Sequence, residues 1–110
     1  MFQPVAIAPS ILSADFMNLG RDIRMIGQAG AGYVHVDVMD GHFVPNLTMG
    51  VPVVKQLAKL ANIPLDVHLM IDNPLDELPW FLQAGADIAC VHAGVLYGDE
   101  LRRAVDVIHG

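Results

Sequence analysis

The chain has 110 residues, of which 54% are hydrophobic and 16% charged; 6 Lys+Arg against 12 Asp+Glu leave a formal net charge of −6. So apolar and sparsely charged a sequence is incompatible with disorder, and its negative balance argues against an electrostatic grip on nucleic acid or anionic membrane. One cysteine, Cys90, cannot build a disulfide framework. No apolar run reaches the roughly 20 residues of a membrane helix, and the opening MFQPVAIAPSIL lacks the basic n-region of a signal peptide. A single domain over residues 1–110 and a cytoplasmic location are therefore expected.

Short β-branched stretches alternate along the chain with segments of helical period. A first strand is predicted at Val5–Ala8, then a helix over Phe16–Gln28 with Phe16, Leu19, Ile23 and Ile26 on one face. Strand Tyr33–Val38 leads to a helix over Pro52–Ala61, whose stripe is Val53, Val54, Leu57 and Leu60. Strand Leu65–Leu69 precedes a helix within Pro74–Ala84, where Asn73-Pro74 reads as an N-cap followed by a proline at the first helical position. Pro79 should clash with the preceding turn, which moves the expected start toward Leu78. The last unit pairs strand Ile88–Val91 with a helix over about Asp99–Ile108, facing the core through Leu101, Val105 and Ile108. Gly30, Gly85 and Gly110 stand where helix C-caps belong.

Four β-then-α units in order point to a parallel sheet covered by helices. A weak internal repeat supports this. Gln28-Ala29-Gly30-Ala31-Gly32 recurs as Gln83-Ala84-Gly85-Ala86-Asp87, an offset of 55 residues. Two units per offset lies near the roughly 31 residues per unit of an eight-unit barrel. The same offset sets His92 in the place of Asp37, so the second and fourth units both carry a titratable residue there.

The second strand reads Val34-His35-Val36-Asp37-Val38-Met39, with valines on one face and His35, Asp37 and Met39 on the other. The third repeats the pattern, with Leu65, Val67 and Leu69 opposite Asp66, His68 and Met70. A parallel strand buried on both faces should be almost wholly apolar. Imidazole and carboxylate on the helix-free face of two strands instead suit a divalent metal of the Zn, Mn, Fe or Co kind. The plainer alternative is a buried histidine pair hydrogen-bonded to Asp37. Matched depth on two strands favours the metal or catalytic reading. Ser10, after Pro9, is either a functional hydroxyl or a turn-capping serine. Asp40, with Gly41 behind it, reads as a turn residue; His42 and Asn46 lie in the same loop. Asp66 sits deeper in its strand and is a weaker candidate ligand, and Cys90 and His109 read as structural.

With these residues in place, the chain resembles the ribulose-phosphate 3-epimerase family of metal-dependent TIM (β/α)8-barrel enzymes. The matching segments are APSILSADF (Ala8–Phe16), HVDVMDGHFVPN (His35–Asn46) followed by Met49-Gly50, LDVHLM (Leu65–Met70) and AGAD (Ala84–Asp87). The resemblance implies an α/β fold of which this chain holds the first four βα units. It implies a sugar-phosphate substrate, with ribulose 5-phosphate and xylulose 5-phosphate interconverted through proton abstraction at C3. It makes His35, Asp37 and His68 metal ligands, Asp37 the catalytic acid/base on one face of the sugar, Ser10 and His68 substrate contacts, and Met39 and Met70 an apolar wall.

Two departures qualify the match. Gly94 stands where the family carries a glutamate after His92, and strands five to eight, the opposite-face acid and the phosphate-gripping loops are not among these residues. Four strands cannot close a barrel, so a homo-oligomer or a complementary C-terminal half is expected as partner. An epimerase for a six-carbon ketose phosphate such as allulose 6-phosphate is the enzymatic alternative, although Ser10–Phe16 lean toward the pentose. A non-catalytic metal-binding or assembly half-barrel is the other.

Overall fold

The protein, described over residues 5–110 by a computed structural model, is built on the alternation seen in its two central strands. Strands β1 (Val34–Asp40) and β3 (Leu65–Met70) pair in parallel from Val34↔Leu65 to Met39↔Met70. Strand β4 (Ile88–Cys90) joins β3 in parallel, giving the order β2-β1-β3-β4. Val34, Val36, Val38, Leu65, Val67 and Leu69 are all buried, at most 4% exposed, while every residue between them is only partly covered. Each such buried side chain contributes about 1.5–3 kcal/mol.

Helices α1 (Leu19–Gln28), α2 (Val51–Leu60), α3 (Pro74–Ala84) and α4 (Glu100–His109) cover the valine face. They pack in chain order, α1 on α2, α2 on α3 and α3 on α4. Ile23, Val54, Leu57, Leu78, Phe81 and Ala104 join the strand side chains in one core. The result is an open α/β layer with one helix-free sheet face. Among the described residues, no helix is long and apolar enough to cross a membrane.

Several expectations are corrected. Val5–Ala8 form no strand. The segment runs beside β1, where the Ile7 and Pro9 carbonyls accept from Gly32, Tyr33 and His35 and Ser10 makes a single parallel bridge to His35. Pro9 has no N–H to return a bond, which breaks the ladder at that point. An unpredicted strand β2 (Leu47–Thr48) turns back antiparallel along the same edge of β1, at Met39 and Asp40. Phe16 opens a 3-10 turn, is 51% exposed, and leaves Ile23 as the buried residue of α1.

Pro79 does not delay α3, which begins at Pro74 behind Asn73 and runs through it. The missing N–H costs about 3 kcal/mol in a helix interior, but Pro74, Leu78, Phe81 and Ala84 form a buried stripe that outweighs it. Asn73 occupies the N-cap position without capping the backbone; its side-chain amide donates to Asp76 instead. In α4 the core contacts are Ala104, fully buried, and the expected Ile108, partly buried, whereas Leu101 and Val105 are 42% and 40% exposed. A small residue lets α4 approach closely, and α3 is the helix it packs against most.

Candidate metal centre

The period-2 alternation of β1 and β3 decides which side chains meet. His35, Asp37 and His68 project from the helix-free face, with Asp37 and His68 directly opposite in register. Asp37 Oδ1 lies 3.1 Å from His35 Nε2 and 3.2 Å from His68 Nδ1. One ligand atom from each residue falls within 4.8 Å of the others. Two imidazoles and a carboxylate, 14–24% exposed in their side chains, are the donor set that suits Zn, Mn, Fe or Co.

Ser10 reaches the cluster through its bridge to His35. Its hydroxyl donates to Asp37 Oδ2 and also accepts from the Leu12 N–H at 3.2 Å, capping the 3-10 turn at Ile11–Ser13. The turn-capping reading of Ser10 holds, and the same hydroxyl touches Asp37. Thr48, on β2, donates to the backbone carbonyl of Asp37 at 2.6 Å and braces the strand along the same edge.

Two contacts were not assigned by sequence reasoning. Asp66 Oδ2 is 2.9 Å from His35 Nδ1. It lies outside the donor set, as its depth suggested, yet the register His35↔Asp66 places it directly beside His35. That register is not set within either strand, so neither segment alone signalled the contact. His92 follows β4, and its Nε2 stands 2.7 Å from His68 Nε2. The repeat had pointed to His92 but not to this contact.

Charge follows from these neighbours. Burial lowers the affinity of His35 for a proton, but the hydrogen bond to Asp66 and the Asp37 and Asp66 charges outweigh it and raise its pKa above the usual imidazole value. Burial acts upward on Asp37, and the Ser10 hydroxyl with His35 and His68 reverses it, holding the carboxyl below its ordinary value. Asp37 is therefore an ionised carboxylate at neutral pH.

The surrounding polar residues have local duties. Asp40 accepts from the N–H groups of His42 and Phe43 through Oδ1 and from Asp72 through Oδ2, stitching the loop after β1 to the loop after β3. Asn46 accepts from Leu47, and the His42 side chain is exposed. Met39 and Met70 are register neighbours on the site face, half-buried. Cys90 and His109 are exposed. A Cβ at Gly94 would meet nothing within 4 Å.

Fold and site together define an α/β protein with a mostly parallel sheet that gathers imidazoles and carboxylates on its uncovered face. Comparison with known proteins takes this class to a family. Residues 6–109 match the model of the Ribulose-phosphate 3 epimerase family, and the chain belongs to that family. It is 53% identical over 89 residues to the ribulose-phosphate 3-epimerase of Bacillus subtilis (strain 168), covering 81% of this chain and 41% of that protein. It is 47% identical over 104 residues to the chloroplastic ribulose-5-phosphate-3-epimerase of Arabidopsis thaliana, covering 94% and 37%. It is 50% identical over 105 residues to the ribulose-phosphate 3-epimerase of Rhodobacter capsulatus, covering 94% and 45%. The chain thus spans about two-fifths of the length of the curated relatives it matches.

Proposed function

We propose that these 110 residues form the first four βα units of a (β/α)8 barrel and carry the proton-abstracting site of a ribulose-phosphate 3-epimerase. The observation that supports this reading is one carboxylate oxygen of Asp37 set between His35 Nε2 and His68 Nδ1, in a chain of this family. The substrate is a ketose phosphate, and the reaction inverts C3, which lies α to the C2 carbonyl. Removal of the C3 proton leaves an enediolate that is reprotonated from the opposite face.

Asp37 takes the proton on one face. Ser10 and the two imidazoles keep it ionised, and the ladder of β1, with Thr48 on its carbonyl, holds it in place. A positioned acid/base of this kind contributes about 10²–10⁴ in rate. His35 Nε2, Asp37 and His68 Nδ1 would hold a divalent cation, which when bound supplies positive charge where the enediolate charge develops. Ser10 and His68 border the sugar, and Met39 and Met70 offer it an apolar surface. The opposite-face acid and the phosphate grip are proposed to lie outside these residues, in a complementary half or a second copy, within a cytoplasmic enzyme.

Exchange of the C3 hydrogen of ribulose 5-phosphate with D₂O tests the proposal. The full protein with Zn²⁺ or Mn²⁺ should incorporate deuterium, and Asp37→Asn should slow this about 10²–10⁴-fold. Undiminished exchange in Asp37→Asn refutes the role of Asp37, and no exchange by the wild type refutes the activity.

A further inference from the structure

His92 faces His68 in a contact that the proton abstraction does not use. The two Nε2 atoms are 2.7 Å apart, and the rings lie at 4.9 Å between centroids with a 31° tilt. Phe43, from the loop after β1, lies against the other imidazole with its ring centroid 5.0 Å away. His92 is thus set between an aromatic ring and the ring it addresses, with its polar edge toward His68.

A neutral imidazole carries a proton on one nitrogen and a lone pair on the other. Two nitrogens this close need one proton between them, so one ring donates and the other accepts. His68 has its Nδ1 on Asp37 and its Nε2 on His92, which links the two ends of the ring. With a proton on Nδ1 bonding Asp37, Nε2 is a lone pair and His92 donates to it. With Nδ1 bare and turned to a cation, Nε2 carries the proton and His92 accepts it. His92 can serve both arrangements because its own second nitrogen can carry or lack a proton in step. An aliphatic side chain there could serve neither.

We infer that His92 is a positioning residue for His68, partnering Nε2 in either tautomer so that Nδ1 stays directed at Asp37 and is free to bind a divalent cation. The inference rests on the proposed donor set, and it adds a residue beyond it. His92 touches neither Asp37 nor His35 in the hydrogen-bond network; it acts through His68. It stands to His68 as Asp66 stands to His35, each holding the far nitrogen of a ring whose near nitrogen meets Asp37.

Two substitutions separate hydrogen bonding from shape. His92→Phe keeps a planar ring against Phe43 and removes both lone pair and N–H. His92→Gln loses the ring but retains an amide that donates or accepts. In competition with a chromophoric chelator, His92→Phe should bind Zn²⁺ about 10–100-fold more weakly than wild type, and His92→Gln should recover most of that loss. In the metal-free proteins, ¹⁵N shifts of the His68 ring should match between wild type and His92→Gln and differ in His92→Phe. Wild-type Zn²⁺ binding tests the donor set and the metal-free shifts test His92, so the two readings fail separately. Unchanged His68 shifts in His92→Phe overturn the inference, as does equal loss in both variants, which would mark His92 as a packing residue only.

Discussion

The internal repeat sets up a comparison of two glycines that are equivalent in sequence and different in surroundings. Gly30 and Gly85 both close a helix with positive φ, 98° and 118°. Alanine at either position enters left-handed backbone, at a cost of about 1–2 kcal/mol. Beyond this the two diverge. A Cβ at Gly30 meets nothing within 4 Å, whereas at Gly85 it would lie 2.5 Å from Ala58 Cβ on α2. That distance forces α2 and α3 apart, and overpacking of this kind adds about 1–3 kcal/mol. Gly30→Ala should therefore destabilise by about 1–2 kcal/mol and Gly85→Ala by about 2–5 kcal/mol. Ala58→Gly alone costs about 1 kcal/mol as a helix-interior glycine, but in the Gly85→Ala background it removes the collision. The double variant should then be about 1–3 kcal/mol more stable than the sum of the single effects predicts. Urea unfolding followed by circular dichroism measures all four proteins, and thermal midpoints should fall by about 4–8 °C per kcal/mol. Equal costs at Gly30 and Gly85, or strict additivity with Ala58→Gly, would refute the close-approach argument.

Other expectations follow from the polar contacts. Asp66→Ala removes the acceptor for His35 Nδ1 and should weaken Zn²⁺ binding about 10–100-fold in chelator competition, with Asp66→Asn losing less; equal affinities would show that the contact does not orient His35. Asp40 has its pKa lowered, since the N–H groups of Asp72, His42 and Phe43 overcome the upward effect of burial. An acid depressed in the folded state stabilises the fold above its unfolded pKa, in the ordinary carboxylate range, and loses that contribution as pH falls through the folded value. Asp40→Ala should accordingly flatten the acid limb of the stability profile, and an unchanged limb would exclude Asp40 as its source. Glu77 has its pKa raised by burial and by the charges of Asp40 and Asp76, so ionising it costs stability as pH rises through the folded value. Glu77→Gln should raise the thermal midpoint at neutral pH, and a lower midpoint would contradict that sign.

Much of the layer architecture was legible because it depends on local pattern. Val34, Val36 and Val38 alternate with His35, Asp37 and Met39, and a period of two leaves the chain no choice about which face is buried once the strand forms. Gly85 bounded α3 at its C-terminal end for a reason internal to the backbone, its positive φ. The exceptions lie where distant groups decided. Pro79 was overruled by the burial of Leu78 and Phe81. Val5–Ala8 lost strand character because Pro9 cannot return a bond to the neighbouring strand. Leu101 and Val105 have core-like spacing but face outward, since α4 seats itself on Ala104.

The same division runs through the site. The amino-acid sequence alone determined that His35, Asp37 and His68 share a face, because alternation along a strand is fixed by the tetrahedral geometry at Cα. It also carried the family resemblance, which needs only residue identity and order. Only the tertiary structure decided the register that puts Asp37 against His68 and Asp66 against His35, and the turn that delivers Ser10 to Asp37. The contact between His68 and His92 belongs to the same class. These depend on how far one strand slides along another, a quantity set by packing across the whole core and invisible in any single segment.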